Sequence, residues 1–176
     1  NQCFSTDSTG KMLLSKDGKK LISYPSASGS VSIPEGIREI GFASLSCCDS
    51  LISVTIPDGV TTIGEYAFTD CPNLTSVTLP DSVIEIQEGA FSSCTSLVSF
   101  AIPSSVVKIE PSAFQRCTSL SKFIVNDKNQ CFSTDSTGKM LLSKDGTLLF
   151  VYLSATGDIS IPSSIAVIEE GAFKSC

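Results

Sequence analysis

From Leu51 the chain alternates in polarity. Val54 and Ile56 are apolar, and Ser53 and Thr55 between them are polar, the period of a strand with one buried face. Pro57 has no N–H to give to a ladder, so it ends the strand. Val60 and Ile63 turn the chain back inward, and Ala67, Phe68, Cys71 and Leu74 then recur at roughly one helical turn. Glu65 precedes this group. In a later unit the same place reads Glu110-Pro111, an acid and a proline where a short helix should begin. The pattern predicts a short strand, a turn, an extended return and a brief helix or turn.

That pattern repeats. Residues 51–73, 74–96 and 97–119 are three consecutive units of 23 residues, sharing L-x-S-[VF]-x-[IL]-P-x-x-V-x-x-I-x-x-x-A-F-x-x-C-x-x. A further unit, 120–176, opens at Leu120, but its Ile161-Pro162 pair arrives 36 residues late. The run NQCFSTDSTGKMLLSKDG stands at 1–18 and again at 129–146, and the offset of 128 holds to Cys176. Residues 1–50 are therefore a first long unit and 120–176 a second. The Asp-Gly pairs at Asp17-Gly18 and Asp145-Gly146, each between apolar runs, predict one inserted β-hairpin per long unit, reached through a Ser/Thr/Gly-rich approach loop. No single coil buries its apolar side, but stacked coils do. The expected fold is an α/β repeat. It is a solenoid with a parallel β-sheet, short helices or turns on the other side, and inserted hairpins. The pattern is cut at both ends, as in a piece of a longer array. Apolar side chains there (Phe4, Leu13, Ile168, Phe173) predict end-to-end self-association.

Composition narrows the function. Of 176 residues, 41% are hydrophobic, enough for a real core. Twelve basic against 18 acidic side chains give a net charge of -6, which argues against nucleic acid as a partner. No apolar run nears the roughly 20 residues of a membrane-spanning helix. The polar start at Asn1 reads as no signal peptide. The chain has no His, so Ser-His-Asp and Cys-His catalysis and imidazole metal sites are excluded. Its eight Cys read either as a disulfide framework or as a ladder of buried thiols. The ladder is favoured, because Cys48, Cys71, Cys94, Cys117 and Cys176 occupy one repeat position, and stacked like positions point in parallel. Cys47, beside the inward Cys48, is the one expected to react fastest. No metal site and no cofactor is expected, since like positions in a row give no tetrahedron.

The run C-x-x-L-x-x-V-x-I-P-x-x-V-x-x-I-x-x-x-A-F-x-x-C resembles the BspA-like class of leucine-rich repeats. The island DSTGKMLLSKDGKKLISYP followed by SIP resembles the hairpin islands of that family. The resemblance implies a leucine-rich-repeat solenoid on a cell-surface or secreted protein of a mucosal bacterium or protozoan parasite, adhering to host matrix or other cells. Leu45 in place of Phe, Ser44 in place of Ala, and the extra Cys47 are departures in the first unit.

The candidate sites follow from stacking. Outward strand positions form one column of Ser53, Ser76, Ser99 and Lys122 and another of Thr55, Thr78, Ala101 and Ile124, a nearly uncharged face for a protein partner. The competing site is the hairpin Ser143–Thr147. Asn73-Leu74-Thr75 is a glycosylation sequon. Asp7-x-x-Gly10 and Asp135-x-x-Gly138 hint at calcium loops but read better as turns. Glu65, Glu88, Glu110, Glu169 and Glu170 read as a solvated edge. The expected function is a non-catalytic protein-interaction module. The alternatives are a structural spacer, or a carbohydrate-active enzyme working through a carboxylate pair.

Overall fold

The computed structural model describes residues 3–153 and 159–174; Cys176 lies outside the described residues. The first long unit contains β1 (Phe4–Thr6), β2 (Leu13–Ser15), β3 (Lys20–Ser23), β4 (Gly29–Ser32) and β5 (Glu39–Ile40). The regular units carry β6 (Leu51–Thr55) and β7 (Thr62–Ile63), β8 (Ser76–Thr78) and β9 (Glu85–Ile86), then β10 (Ser99–Ile102) and β11 (Lys108–Ile109). The second long unit adds β12 (Lys122–Val125), β13 (Phe132–Thr134), β14 (Met140–Ser143), β15 (Leu148–Tyr152) and β16 (Val167–Ile168).

Two parallel ladders run along the stack. The alternating segments form one, with β4, β6 and β8 in one sheet and β10 with β12 in another. The two-residue returns form the second, where β5, β7, β9 and β11 pair in order. Between β8 and β10 the first ladder is broken. The break falls where the inward column changes from Val54 and Val77 to the bulkier Phe100 and Phe123.

The A-F-x-x-C segments are turns, and this corrects the helical reading of their spacing. Among the described residues only Pro111–Phe114 forms a single 3-10 turn. Elsewhere the N–H groups point along the stack. Ala43, Leu45 and Cys47 donate to the carbonyls of Glu65, Ala67 and Thr69, and Tyr66, Phe68 and Asp70 to those of Glu88, Ala90 and Ser92. These bonds, 2.8–3.0 Å long, make a third inter-coil ladder. A helix needs the same N–H groups for its own carbonyls four residues back, so the two arrangements exclude one another. Left-handed residues bracket three of these segments, at Ala43 and Cys47, Tyr66 and Asp70, and Gly89 and Ser93.

Inside the triangle of ladders the repeat positions stack into a core. Phe68 and Phe91 lie 5.2 Å apart at 2°, and Phe91 and Phe114 5.7 Å apart at 8°. Phe100 and Phe123 close on this stack from the strand side. Cys71, Cys94 and Cys117 are buried, and each Sγ donates to a carbonyl 26 residues earlier: Leu45, Phe68 and Phe91, at 3.1, 3.2 and 3.0 Å. The seven described cysteines are free thiols, with Cys3 and Cys47 exposed. Ser44, standing where other units have Ala, is buried with its Oγ unpartnered.

The island holds three antiparallel strands, because β13 pairs with β14 across what the sequence reads as an approach loop. Its copy, β1–β2–β3, has the same pairing and the same register shift. The last strand of each island takes the place of a return: β3 pairs in parallel with β5, and β15 with β16. Asn129 roots the second island. Fully buried, it donates from Nδ2 to the carbonyls of Pro103 and Val106 and accepts at Oδ1 from the N–H groups of Cys131 and Phe132.

Candidate functional site

The alternation that buries Val54 turns Ser53 and Thr55 outward, and parallel in-register pairing aligns them between coils. Ser53 stands beside Ser76 and Thr55 beside Thr78. Beyond the break, Ser99 stands beside Lys122 and Ala101 beside Ile124. Ser76, Thr78, Ser99, Ala101, Lys122, Ile124 and Thr55 are exposed, and Ser53 is half-buried. Ile124 is 50% exposed.

The columns also extend one coil further than the sequence reading took them. Ser30 pairs with Ser53, whose hydroxyl donates to the Ser30 Oγ at 2.8 Å, and Ser32 pairs with Thr55. The signal was present, since Val31, Ile33 and Pro34 repeat the frame of Val54, Ile56 and Pro57. A third outward column, Ile52, Thr75, Val98 and Ser121, was also missed. Thr75 and Ser121 donate their hydroxyls to the Ile52 and Val98 carbonyls, leaving the two apolar side chains in solvent.

At the rim of this face, beside the broken ladder, lies an open groove of about 430 Å³. Leu79, Ala101, Ile102 and Ile124 line it, with Asp81 and Asn126 as its polar members. Asn73 sits elsewhere, on an open depression of about 490 Å³ with Asp49, Ser50, Ile52 and Thr75. It is exposed, and its Nδ2 donates to the Asp49 carbonyl at 2.7 Å.

The hairpin carboxylates are spent on their own turns. Asp7 accepts from the N–H groups of Met12 and Thr9, and with the Thr9 hydroxyl these bonds hold its carboxyl down to about 2. Asp135 has the same contacts from Thr137 and Met140. Asp145 accepts from the Ser143 hydroxyl and from Thr147, which lowers its pKa. Among the described residues no three His, Cys, Asp or Glu side chains are grouped to hold a metal ion. Nor, among them, is any helix long and apolar enough to cross a membrane.

The model of the BspA-type leucine-rich repeat region matches residues 23–138, in six copies. The chain belongs to this family. Leucine-rich repeats of this type are protein-interaction modules, and the three-ladder stack is their solenoid. No curated protein matches the chain. Among solved structures, it is similar to a leucine-rich repeat protein from Bacteroides capillosus, at 28% identity and a TM-score of 0.60, over 71% of this chain and 99% of that one. A leucine-rich cell surface protein from Faecalibacterium prausnitzii shares the fold at 21% identity and a TM-score of 0.55, over 94% of this chain and 66% of that one. The pneumococcal vaccine antigen PcpA does so at 22% identity and a TM-score of 0.65, over 93% of this chain and 44% of that one. The BspA-type chain described here thus spans under half the length of PcpA.

Proposed function

We propose that the chain is a non-catalytic adhesion module of a cell-surface or secreted protein, and that its strand face meets a host matrix protein or a receptor on another cell. The observation that carries this reading is the in-register alignment of the outward positions, from Ser30 and Ser32 to Ser76 and Thr78 in one sheet and from Ser99 and Ala101 to Lys122 and Ile124 in the sheet beyond the break. Short hydroxyl side chains lose little conformational freedom when covered. Ala101 and Ile124, with the open groove at the rim beside them, add apolar contact area to a face of small polar side chains. Asn73, exposed at the edge of the same stack, is a glycan acceptor in a cell that modifies such sequons.

Arrays of immobilised proteins (fibronectin and fibrinogen among them) and of glycans test the reading. The expected result is saturable binding to a protein spot, with no cleavage of any glycan. Glycan turnover, or binding to no protein, overturns it.

A further inference from the structure

On the turn side of the solenoid, away from the strand face, three local rules are broken in one place. Phe42 is 64% exposed, at the position filled by Glu65 and Glu88 in the next two coils. Tyr66 is a bulky residue in the left-handed region, at φ 56, where its neighbour along the stack is Gly89. Its ring lies so close against Gly89 that a Cβ there would clash with Cε1 and Cδ1. The Phe42 and Tyr66 rings meet nearly at right angles, 6.0 Å apart, and the Tyr66 hydroxyl donates to Glu88 Oε1 at 2.8 Å.

The third rule concerns charge. On the adjoining return ladder the acids are matched: Lys20 holds Glu39, and Lys108 holds both Glu85 and Glu110. Glu65 and Glu88 are stacked in adjacent coils, exposed, and in no ion pair among the described residues. Like charges side by side repel unless a cation lies between them. Lys20, whose side chain packs over Gly41 next to Phe42, is engaged by Glu39.

We propose that Phe42, Tyr66, Glu65 and Glu88 form a subsite for a cationic side chain, Arg or Lys, of a protein partner. The exposed ring supplies a negative face and the carboxylates the counter-charge, and together they complement a guanidinium or ammonium. The subsite rests on the reading of the chain as a protein-binding module, but not on the strand face being the place of binding.

Tetra-arginine, tetra-lysine, tetra-citrulline and chitotriose, titrated separately while the Phe42 and Tyr66 ring resonances are followed by NMR, test it. Either cationic peptide is expected to shift both rings and to bind at least about ten-fold more tightly than tetra-citrulline. Phe42→Ala should weaken that binding by about five-fold. Glu65→Gln with Glu88→Gln should remove the preference over citrulline. All three positions are exposed, so unchanged thermal melts check that the variants fold. Ser76→Glu with Thr78→Lys, on the strand face, should leave peptide binding intact, whatever it does to the array result. Equal binding of tetra-citrulline, cationic-peptide affinity unchanged by Phe42→Ala, or a response to chitotriose alone overturns the proposal.

Discussion

The buried thiols show what a single residue does for the repeat. Each Sγ–H gives one hydrogen bond to a carbonyl of the coil before it, and burial holds the proton on. The Cys117 thiol is pushed up to about 12 from an ordinary value of 9.0, chiefly by burial. A raised folded-state value means stability that is present below pH 9 and lost as pH rises through 9 toward 12, because only the unfolded chain gains the thiolate. Urea melts between pH 9.5 and 11 should lose about 1.4 kcal/mol per pH unit for each such thiol, and Cys117→Ala should flatten the slope by about that much. Parallel curves for the two proteins would contradict the burial of this thiol. The recurrence of Cys at one repeat position made the column legible. The acceptor did not show, because it lies 26 residues away and is a backbone atom with no letter of its own.

Among the elements, strands were legible and the segments between them were not. The strands of the regular units follow from alternation and from Pro57, Pro80 and Pro103, which are local signals. The spacing of Ala67, Phe68, Cys71 and Leu74 fits a helix and a stacked turn equally well. The choice is made by the Ala90 and Ser92 carbonyls of the next coil, a partner that exists only once the stack has formed. Asn129 was missed altogether. The exact copy of its surroundings at Asn1 marked the place, but one Asn in a polar run carries no sign that it is buried. Its four hydrogen bonds tie the third regular coil to the island, and removing them strands two N–H groups and two carbonyls in the interior. Asn129→Leu should therefore cost at least about 3 kcal/mol in urea unfolding. A loss under about 1 kcal/mol would mean that the island stands without it.

For the molecule as a whole, each coil touches only its neighbours, so cohesion accumulates along one direction and every outward position becomes a column. The face of small hydroxyls and the apolar end at Ala101 and Ile124 are products of register as much as of composition. The broken ladder between β8 and β10 interrupts that face, and the groove beside it was not legible, since within the shared frame those two coils differ only in Val77 giving way to Phe100 and Leu79 to Ile102. The strand face and the hairpin around Lys144 and Asp145, the two surfaces that compete for the partner, are separated by charge variants. The most direct measurement is the affinity of paired variants for the protein captured on the array. Ser76→Glu with Thr78→Lys should weaken binding by at least about ten-fold, roughly 1.4 kcal/mol, while Lys144→Glu with Asp145→Asn should leave it within about two-fold. Binding that survives the first pair and fails with the second would contradict the account and move recognition to the hairpin.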